Sequence, residues 1–543
     1  MDKSKTELTP RFMAWGGLLA VIFTFFLKKM SDYDFWFHLV VGRETVEMGD
    51  IPERAFYIYQ FLGVPDKFYE WGFGVILYAA YSVFGGNALS ILNAACASLA
   101  IFVLATTRNS NSSKTVFVAA TALAVGIVAL YVDIRAVLRP EIMLAALIAV
   151  EIYLLETFRE KQKIIYLLPL PLLVILLTNI HPSAIFLIAI AGIYGLSHWL
   201  AVRSRHTLTV YSALVVVMFL GGAMNPYGFE QVLLPFKFVG ANKLIAHVVE
   251  FLPVYQTAYF WPFILLSATV AVSAFAPQGK SKFARLMLAI VFGILTLRYT
   301  RNIALFALVS YLPLRDLFIF AISRLEKKYV QTAPILLAFV AVSLVVAILT
   351  GSRIRDKNWG TGIDDAGYPT YAHLLQGNKN ITATASLFHL GGYMSWITRI
   401  PVLADGRNYT FNAALQDHNN IFSRQPDWNL LLARNGVDVI FTPLLQPFGE
   451  PVPLLGALYY SPEWKLCAIE DSGIWFMRSS KTASLGLNKD LILHRMMADI
   501  RASNAPQREA SPVYKLAKSI GNPELLQWMY STEDNCAGLR SMQ

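Results

Sequence analysis

The chain has 543 residues, 55% of them hydrophobic and 15% charged, with a net charge of +10. A soluble globular chain carries about 25% charged residues, and the deficit here is concentrated in long stretches nearly free of Asp, Glu, Lys and Arg, which excludes an ordinary soluble protein. The basic residues that give the positive excess sit in short loops between those stretches, the pattern of cytoplasmic loops rather than of a nucleic-acid surface, so no nucleic-acid partner is expected.

In chain order, the runs 12–27, 88–106, 115–132, 141–158, 182–201, 207–224 and 331–350 are nearly uncharged. Each approaches or reaches the roughly 20 residues that a membrane-spanning helix needs. The first follows Lys3, Lys5 and Arg11, as the core of a signal peptide would. Lys28, Lys29 and bulky aromatics then stand where a small-residue cleavage site belongs, so a first span is predicted instead. Spans are predicted near 12–29, 70–86, 88–106, 115–133, 141–158, 164–178, 182–201, 207–224, 258–276, 284–297, 302–320 and 331–350.

Four alternate loops carry Arg159, Lys161 and Lys163; Arg203 and Arg205; Lys280, Lys282 and Arg285; and Arg324, Lys327 and Lys328. That side is assigned to the cytoplasm. The first outer loop 30–69, the loops 134–140, 178–182, 225–257 and 298–301, and the C-terminal region then lie outside. One conflict follows: residues 70–106 hold two apolar runs where the alternation allows one crossing. One of the two is then short, re-entrant or interfacial, or a span is missed elsewhere, and the total is eleven to thirteen. The three cysteines, Cys96, Cys467 and Cys536, lack the spacing of a zinc site or a disulfide framework. No repeat relates the two halves, which weighs against a transporter.

After Gly351 charge rises, and short β-like runs occur at 383–388, 401–404, 438–442, 464–469 and 474–477, with a helix expected at Leu430–Asn435. The expected architecture is a mainly α, polytopic transmembrane bundle at 1–351, a water-facing α/β domain at 352–480, and a helical tail at 481–543. The expected location is a bacterial inner membrane, with the C-terminal domain extracytoplasmic.

Ionisable residues at membrane depth are functional candidates by default. The richest stretch is Ser31-Asp32-Tyr33-Asp34-Phe35-Trp36-Phe37-His38-Leu39, followed by Arg43 and Glu44, with Tyr69-Glu70-Trp71 opening the next apolar run. One reading is an interfacial aromatic belt with solvated acids, in which 35–48 lies on the membrane anchored by Phe35, Trp36, Leu39 and Val46. The other is that two aspartates one residue apart hold a divalent cation or provide a general base. The outer loops add Arg135, Arg139 and Glu141; Asn179 and His181; Asn225-Pro226-Tyr227-Gly228; His247 and Glu250; and Arg298, Arg301 and Asn302. The topology places all of these on the side of Asp32 and Asp34. Acids, His and Arg on one rim suit a substrate bearing phosphate, which Arg recognises bidentately. The plainer readings are a snorkelling Arg139, a turn residue at His181 and a helix stop at Asn225-Pro226. Asp405 and Arg407 are expected to pair structurally.

Taken together, Asp32-Tyr33-Asp34-Phe35-Trp36-Phe37-His38-Leu39, Gly42-Arg43, Gly49-Asp50-Ile51-Pro52 and Glu70-Trp71 resemble a pattern found in the GT-C glycosyltransferase superfamily. Arg139-Pro140-Glu141, Asn179-Ile180-His181, Asn225-Pro226-Tyr227-Gly228, Arg298, Gly391-Gly392-Tyr393 and Asp405-Gly406-Arg407 are similar to its later landmarks. The resemblance implies transfer of a sugar from a polyprenyl-phosphate donor to a lipid, glycan or protein acceptor. It implies Asp32 or Asp34 as base or metal ligand, His38 and Glu70 in support, and Arg298 or Arg301 on the donor phosphate. Arg139, Glu141, Asn179 and His181 would complete the substrate site, and the implied cofactor is a divalent metal, Mg or Mn. Two other classes stay open: a non-catalytic envelope assembly protein, and a transporter or flippase. The latter would place its charges at span centres rather than at outer ends.

Overall fold

The computed structural model describes residues 3–107, 112–238, 249–277, 279–326, 358–364, 367–407, 412–443, 452–470 and 472–482, with Lys515 and Lys518. The span expected at 331–350, the tail helices expected at 486–531, and His247, Lys327, Lys328, Asn408 and Cys536 lie outside the described residues. Two compact units are present. One comprises Met1–Asp32 and Tyr69–Asp364, the other Tyr33–Phe68 and Asp365–Gln543.

The first unit is helical: α1 (Lys3–Phe26), α3 (Trp71–Phe84), α4 (Gly86–Ala105), α5 (Lys114–Asp133), α6 (Pro140–Lys161), α7 (Leu170–Ile180), α8 (Ile185–Val202), α9 (Arg205–Gly222), α10 (Phe229–Phe238), α11 (Phe260–Ser273), α12 (Lys282–Arg298), α13 (Ile303–Val309) and α14 (Tyr311–Glu326). Helices are what apolar runs must form in lipid, where every backbone group has to be satisfied within its own segment. Their ends follow local chemistry. Ser113 caps α5 by accepting from Val116 N at 3.3 Å, and Pro140 opens α6, where its missing N–H costs nothing. Gly86–Ala105, Lys114–Asp133, Pro182–Val202 and Arg205–Gly222 are each long and apolar enough to cross a membrane. Thr300–Val309 and Tyr311–Arg324 are long and apolar enough only when taken together, and are bent by 48° at their junction. The chain is an integral membrane protein.

Each end of the bundle is identified by what meets there. At one end Lys28 pairs with Asp133 at 3.2 Å, Asn93 donates to Ala136 O at 2.9 Å, Tyr131 to Pro262 O at 2.7 Å, and Thr300 N to Leu252 O at 2.9 Å. At the other, Arg159 donates to Lys280 O and Arg315 to Thr107 O, both at 2.5 Å. Among the described residues the chain therefore runs between the ends ten times, through α1, α4, α5, α6, α7, α8, α9, α11, α12 and the α13–α14 pair.

Helix α3 is the exception. It starts beside His181 and Asn179, with Glu70 3.4 Å from the His181 ring. It ends at Gly85, whose φ of 60° turns the chain into α4. There Ser90 exchanges hydrogen bonds with Gly362 at 2.9 and 3.1 Å, and Gly362 O accepts from Met30 N. Both ends of α3 thus lie at the same end of the bundle. Of the two apolar runs within 70–106, α4 crosses and α3 does not, which removes the conflict in the alternation.

Two cations assigned to loops are inside the protein. Arg285 is 7% exposed. It donates to both Glu156 oxygens at 2.8 and 2.7 Å and pairs with Asp316, while Tyr194 donates to Glu156 at 2.7 Å. A charge this deep persists only when paired. Arg159, 3% exposed, is the other.

In the second unit, helix α2 (Phe35–Met48) accompanies a sheet of β1 (Ala383–Ala385), β2 (Val437–Thr442), β3 (Trp464–Glu470) and β4 (Gly473–Arg478). The order is β1-β2-β4-β3, with β1 parallel to β2 and the other pairs antiparallel. The helix Trp428–Arg434 precedes β2 as expected. The run 401–404 contributes only single bridges, Val402 to Ile58 and to Thr384. Ile440, Phe476, Leu432, Leu454, Leu458 and Leu466 are fully buried in one core with Trp464. Phe35, Trp36 and Leu39 are buried rather than open to lipid. Trp36 packs edge-on to Tyr393 and Tyr368 and tilted to Trp396, with ring centroids 5.1–6.2 Å apart, so protein supplies the apolar partner that a bilayer was expected to supply; Val46 is exposed.

Candidate functional site

The outer-loop residues of the helical unit assemble into a connected ionic network. Asp32, at the end of the segment after α1, accepts from Arg139 through both oxygens, at 2.6 and 3.1 Å. Arg139 also reaches Glu250 at 3.1 Å, and Glu250 accepts from Arg135 at 2.7 Å. Arg139 immediately precedes Pro140, so the start of α6 fixes its backbone. One position inside α6, Glu141 pairs with Arg301, from the turn between α12 and α13, and faces the charges of His181, Arg135 and Arg139 as well. Burial pushes the Glu250 carboxyl up, but Arg135, Arg139 and Arg301 outweigh it and hold it below the usual range.

His181 lies beside Glu141 and Arg301, and Glu70 joins through it. Its Nδ1 accepts from Ser183 N at 3.2 Å, as the cap of the turn that Pro182 begins. The neutral ring then carries its proton on Nε2, which faces Glu70 Oε1 at 3.4 Å. Asp32, Glu70, Arg139, Glu141, His181 and Arg301 are thus gathered at one rim, with Arg135 and Glu250. Two candidates stand apart. Asn179 holds backbone in place, donating to Ile175 O and Met224 O at 2.9 Å. Arg298 is exposed at the end of α12 and leans over Tyr299. Asn225 likewise ties its own turn, donating to Gly222 O and Gly228 O at 2.8 and 3.0 Å.

Asp34 and His38 belong to the second unit. His38 is buried in α2, its ring 4.0 Å from that of Phe37. Asp34 precedes α2 and meets the Asp405-Gly406-Arg407 segment: a Cβ at Gly406 would stand 2.9 Å from Asp34 Oδ1 and 3.2 Å from Phe37. A Cβ at Gly392 would stand 2.8 Å from Phe37 N. Glycine at both positions is what allows so close an approach. Burial pushes the Asp405 carboxyl up to about 7, and Asp34 and Asp66 add to the push. The Arg407 guanidinium, 2.5 Å from Asp405 Oδ2, is the opposing charge beside this dry carboxyl.

The fit to a divalent metal is poor. Among the described residues no group of three or more His, Cys, Asp or Glu is arranged to hold one, and both oxygens of Asp32 are engaged by Arg139.

No protein-family model and no curated protein matches the chain. Solved structures do. The oligosaccharyltransferase AglB of Archaeoglobus fulgidus, in complex with an inhibitory peptide and a dolichol-phosphate, superposes with a TM-score of 0.61 at 11% identity, covering 94% of this chain and 85% of AglB. The same enzyme with zinc and sulfate gives 0.58 at 12% identity, covering 95% and 86%. ArnT of Cupriavidus metallidurans in the apo state gives 0.53 at 13%, covering 87% of this chain and 98% of ArnT. Likeness at such low identity is a likeness of fold: the chain shares with both an architecture of many apolar helices with a small sheet in its C-terminal region.

Proposed function

We propose that the chain is a membrane glycosyltransferase that moves a sugar from a polyprenyl-phosphate donor to a lipid, glycan or protein acceptor on the extracytoplasmic side of a bacterial inner membrane. The observation that carries this reading is the rim network of Asp32, Arg139, Glu250, Arg135, Glu141, Arg301, Glu70 and His181 at one end of the bundle. AglB and ArnT have been crystallised with dolichol-phosphate and undecaprenyl phosphate respectively, which supports a lipid phosphate as the ligand class.

In the proposed step the acceptor oxygen bonds to the anomeric carbon while the bond from that carbon to the phosphate oxygen breaks. The electron pair stays on the lipid phosphate, and the acceptor proton passes to a carboxylate. Both oxygens of Asp32 are engaged by Arg139, so the proton is assigned to Asp34 and Asp32 is a positioning residue. Only Tyr33 separates the two in the chain. Arg298, exposed at the end of α12, and Arg301 are assigned to the donor phosphate, whose growing charge they would neutralise. Glu70 orients His181. No step is routed through a metal.

A second reading is favoured by one feature: Arg135, Arg139 and Arg301 each already have a carboxylate partner, as in a network that only locks a scaffold. Binding of undecaprenyl phosphate to the full chain in nanodiscs separates the two. The enzyme reading expects Arg298→Gln and Arg301→Gln to weaken it at least tenfold; unchanged binding by folded variants leaves the scaffold. Product formation from an undecaprenyl-phosphate sugar, abolished by Asp34→Asn, completes the test.

A further inference from the structure

At the opposite end of the bundle, Arg159 is a buried cation that forms no ion pair among the described residues. It lies in the last turn of α6, about 27 Å of helix rise from Glu141, and is 3% exposed. Its terminal nitrogens donate to Ser197 Oγ at 3.1 Å and to Lys280 O at 2.5 Å. Nε has no acceptor. Of the carboxylates near it in sequence, Glu160 is exposed and Glu156 is saturated by Arg285 and Tyr194; no described carboxylate forms an ion pair with Arg159.

Two more buried polar groups without partners surround it. His198, next to Ser197 on α8, is 6% exposed, with Nδ1 unbonded. Tyr211, on α9, is 4% exposed, with its hydroxyl unbonded. The two rings are 5.7 Å apart, and Phe158, beside Arg159, packs against both at 6.2 and 5.8 Å. Gly195 lets Tyr211 approach this closely, since a Cβ there would stand 2.8 Å from Tyr211 Cβ. Lys280, exposed, adds its charge at the mouth.

Leaving one buried polar group unsatisfied is costly, and an unpaired buried charge costs more. Three such groups converging from α6, α8 and α9 are a donor set in need of an anion with several oxygens. The surroundings fix the depth. Trp199 stacks with Arg203 one turn on, the pairing of a membrane–water interface. Leu196, Val202 and Leu208 are exposed alongside.

The geometry points to a second phosphate site, formed by Arg159, His198, Tyr211 and Lys280, at the end of the bundle remote from the rim network. The ligand class is a phosphate group with at least two unsubstituted oxygens. Its source is either the headgroup of an anionic phospholipid in that leaflet or a soluble phosphate. Arg159 takes two oxygens through its planar fork, Tyr211 donates to a third contact, and Lys280 closes the mouth.

The full chain, purified in detergent, is to be offered phosphatidylglycerol, phosphatidylcholine and inorganic phosphate separately, with bound lipid counted by native mass spectrometry and stability followed by thermal unfolding. A lipid site expects phosphatidylglycerol occupancy about tenfold above phosphatidylcholine and no response to millimolar phosphate. A soluble-phosphate site expects the reverse. Arg159→Gln should abolish either preference; because that variant risks misfolding, Lys280→Gln and Tyr211→Phe are read beside it. Each should lower occupancy severalfold with the fold intact. Tyr211→Phe also has a sign that packing alone does not give: removing an unbonded hydroxyl should leave ligand-free protein as stable or more stable, while shrinking the stabilisation that ligand confers. Equal occupancy of both lipids with no phosphate response, or a preference untouched in folded Lys280→Gln and Tyr211→Phe, overturns the site.

Discussion

Removing Asp32 and Arg139 singly and together measures whether the rim network is a built unit. The two contacts of 2.6 and 3.1 Å bring unit charges to centres about 4 Å apart, worth about 4 kcal/mol at an effective dielectric constant near 20. The side chains are 10% and 22% exposed, and Arg139 retains Glu250 when Asp32 is lost. Solvent and that residual pairing reduce the expected coupling to about 1.5–3 kcal/mol. Arg139→Ala alone should cost the most, about 3 kcal/mol, because Asp32 is then left half-buried without a countercharge. Asp32→Ala should cost about half as much. Reversible unfolding of the full chain in mixed micelles, followed for the four proteins of the cycle, gives the coupling directly. Additivity to within about 0.5 kcal/mol would refute the argument, since the pair would then be an incidental surface contact.

Other expectations follow from single residues. Burial holds the His418 ring at about 4, although Ser386 O and Asn419 lie beside its two nitrogens. Its folded value is below its ordinary one, so the stability tied to its neutral form is complete above about pH 6.5 and is lost as pH falls toward 4, by at most about 3 kcal/mol. His418→Asn should flatten the thermal stability of the full chain across that window. Gly406→Ala places a methyl against Asp34 and Phe37 and should cost about 1–3 kcal/mol in thermal unfolding; a neutral result would mean that the approach is slack. In a background lacking native cysteines, labels at 280 and 379, both exposed, should react from opposite faces of the membrane, with 379 outside; labelling from one face would invert the assigned orientation.

Most of the bundle was legible because a span leaves two marks, a run without charge and a basic loop. Helices α4, α5, α6, α8 and α9 fall within a few residues of their expected bounds. Hydropathy cannot distinguish an apolar run that crosses from one that turns back, so α3 was ambiguous until Glu70, Asn179, Gly86 and Ile363 were placed. Loop counting also mistook Arg159 and Arg285 for surface cations, because position next to a span does not reveal a partner such as Glu156, 129 residues from Arg285 in the chain. In the candidate site, the unusual polar residues marked Asp32, Arg139, Glu141, His181 and Arg301, and the same signal flagged Glu250 and Arg135. It overvalued Asn179, because an amide that binds backbone looks identical in sequence to one that binds substrate. The glycines at 392 and 406 were visible as motifs, but what they admit, Phe37 and Asp34, is a property of packing.

The return of α3 to its starting end bears on how the chain is made. Residues 71–84 emerge from the ribosome as a hydrophobic signal, and Gly85 reverses direction before α4 follows. An insertion machine that mistook the first run for a completed pass would invert every later helix. Lengthening 71–84 by a single apolar turn is therefore a sharper threat to biogenesis than most changes to the deep core.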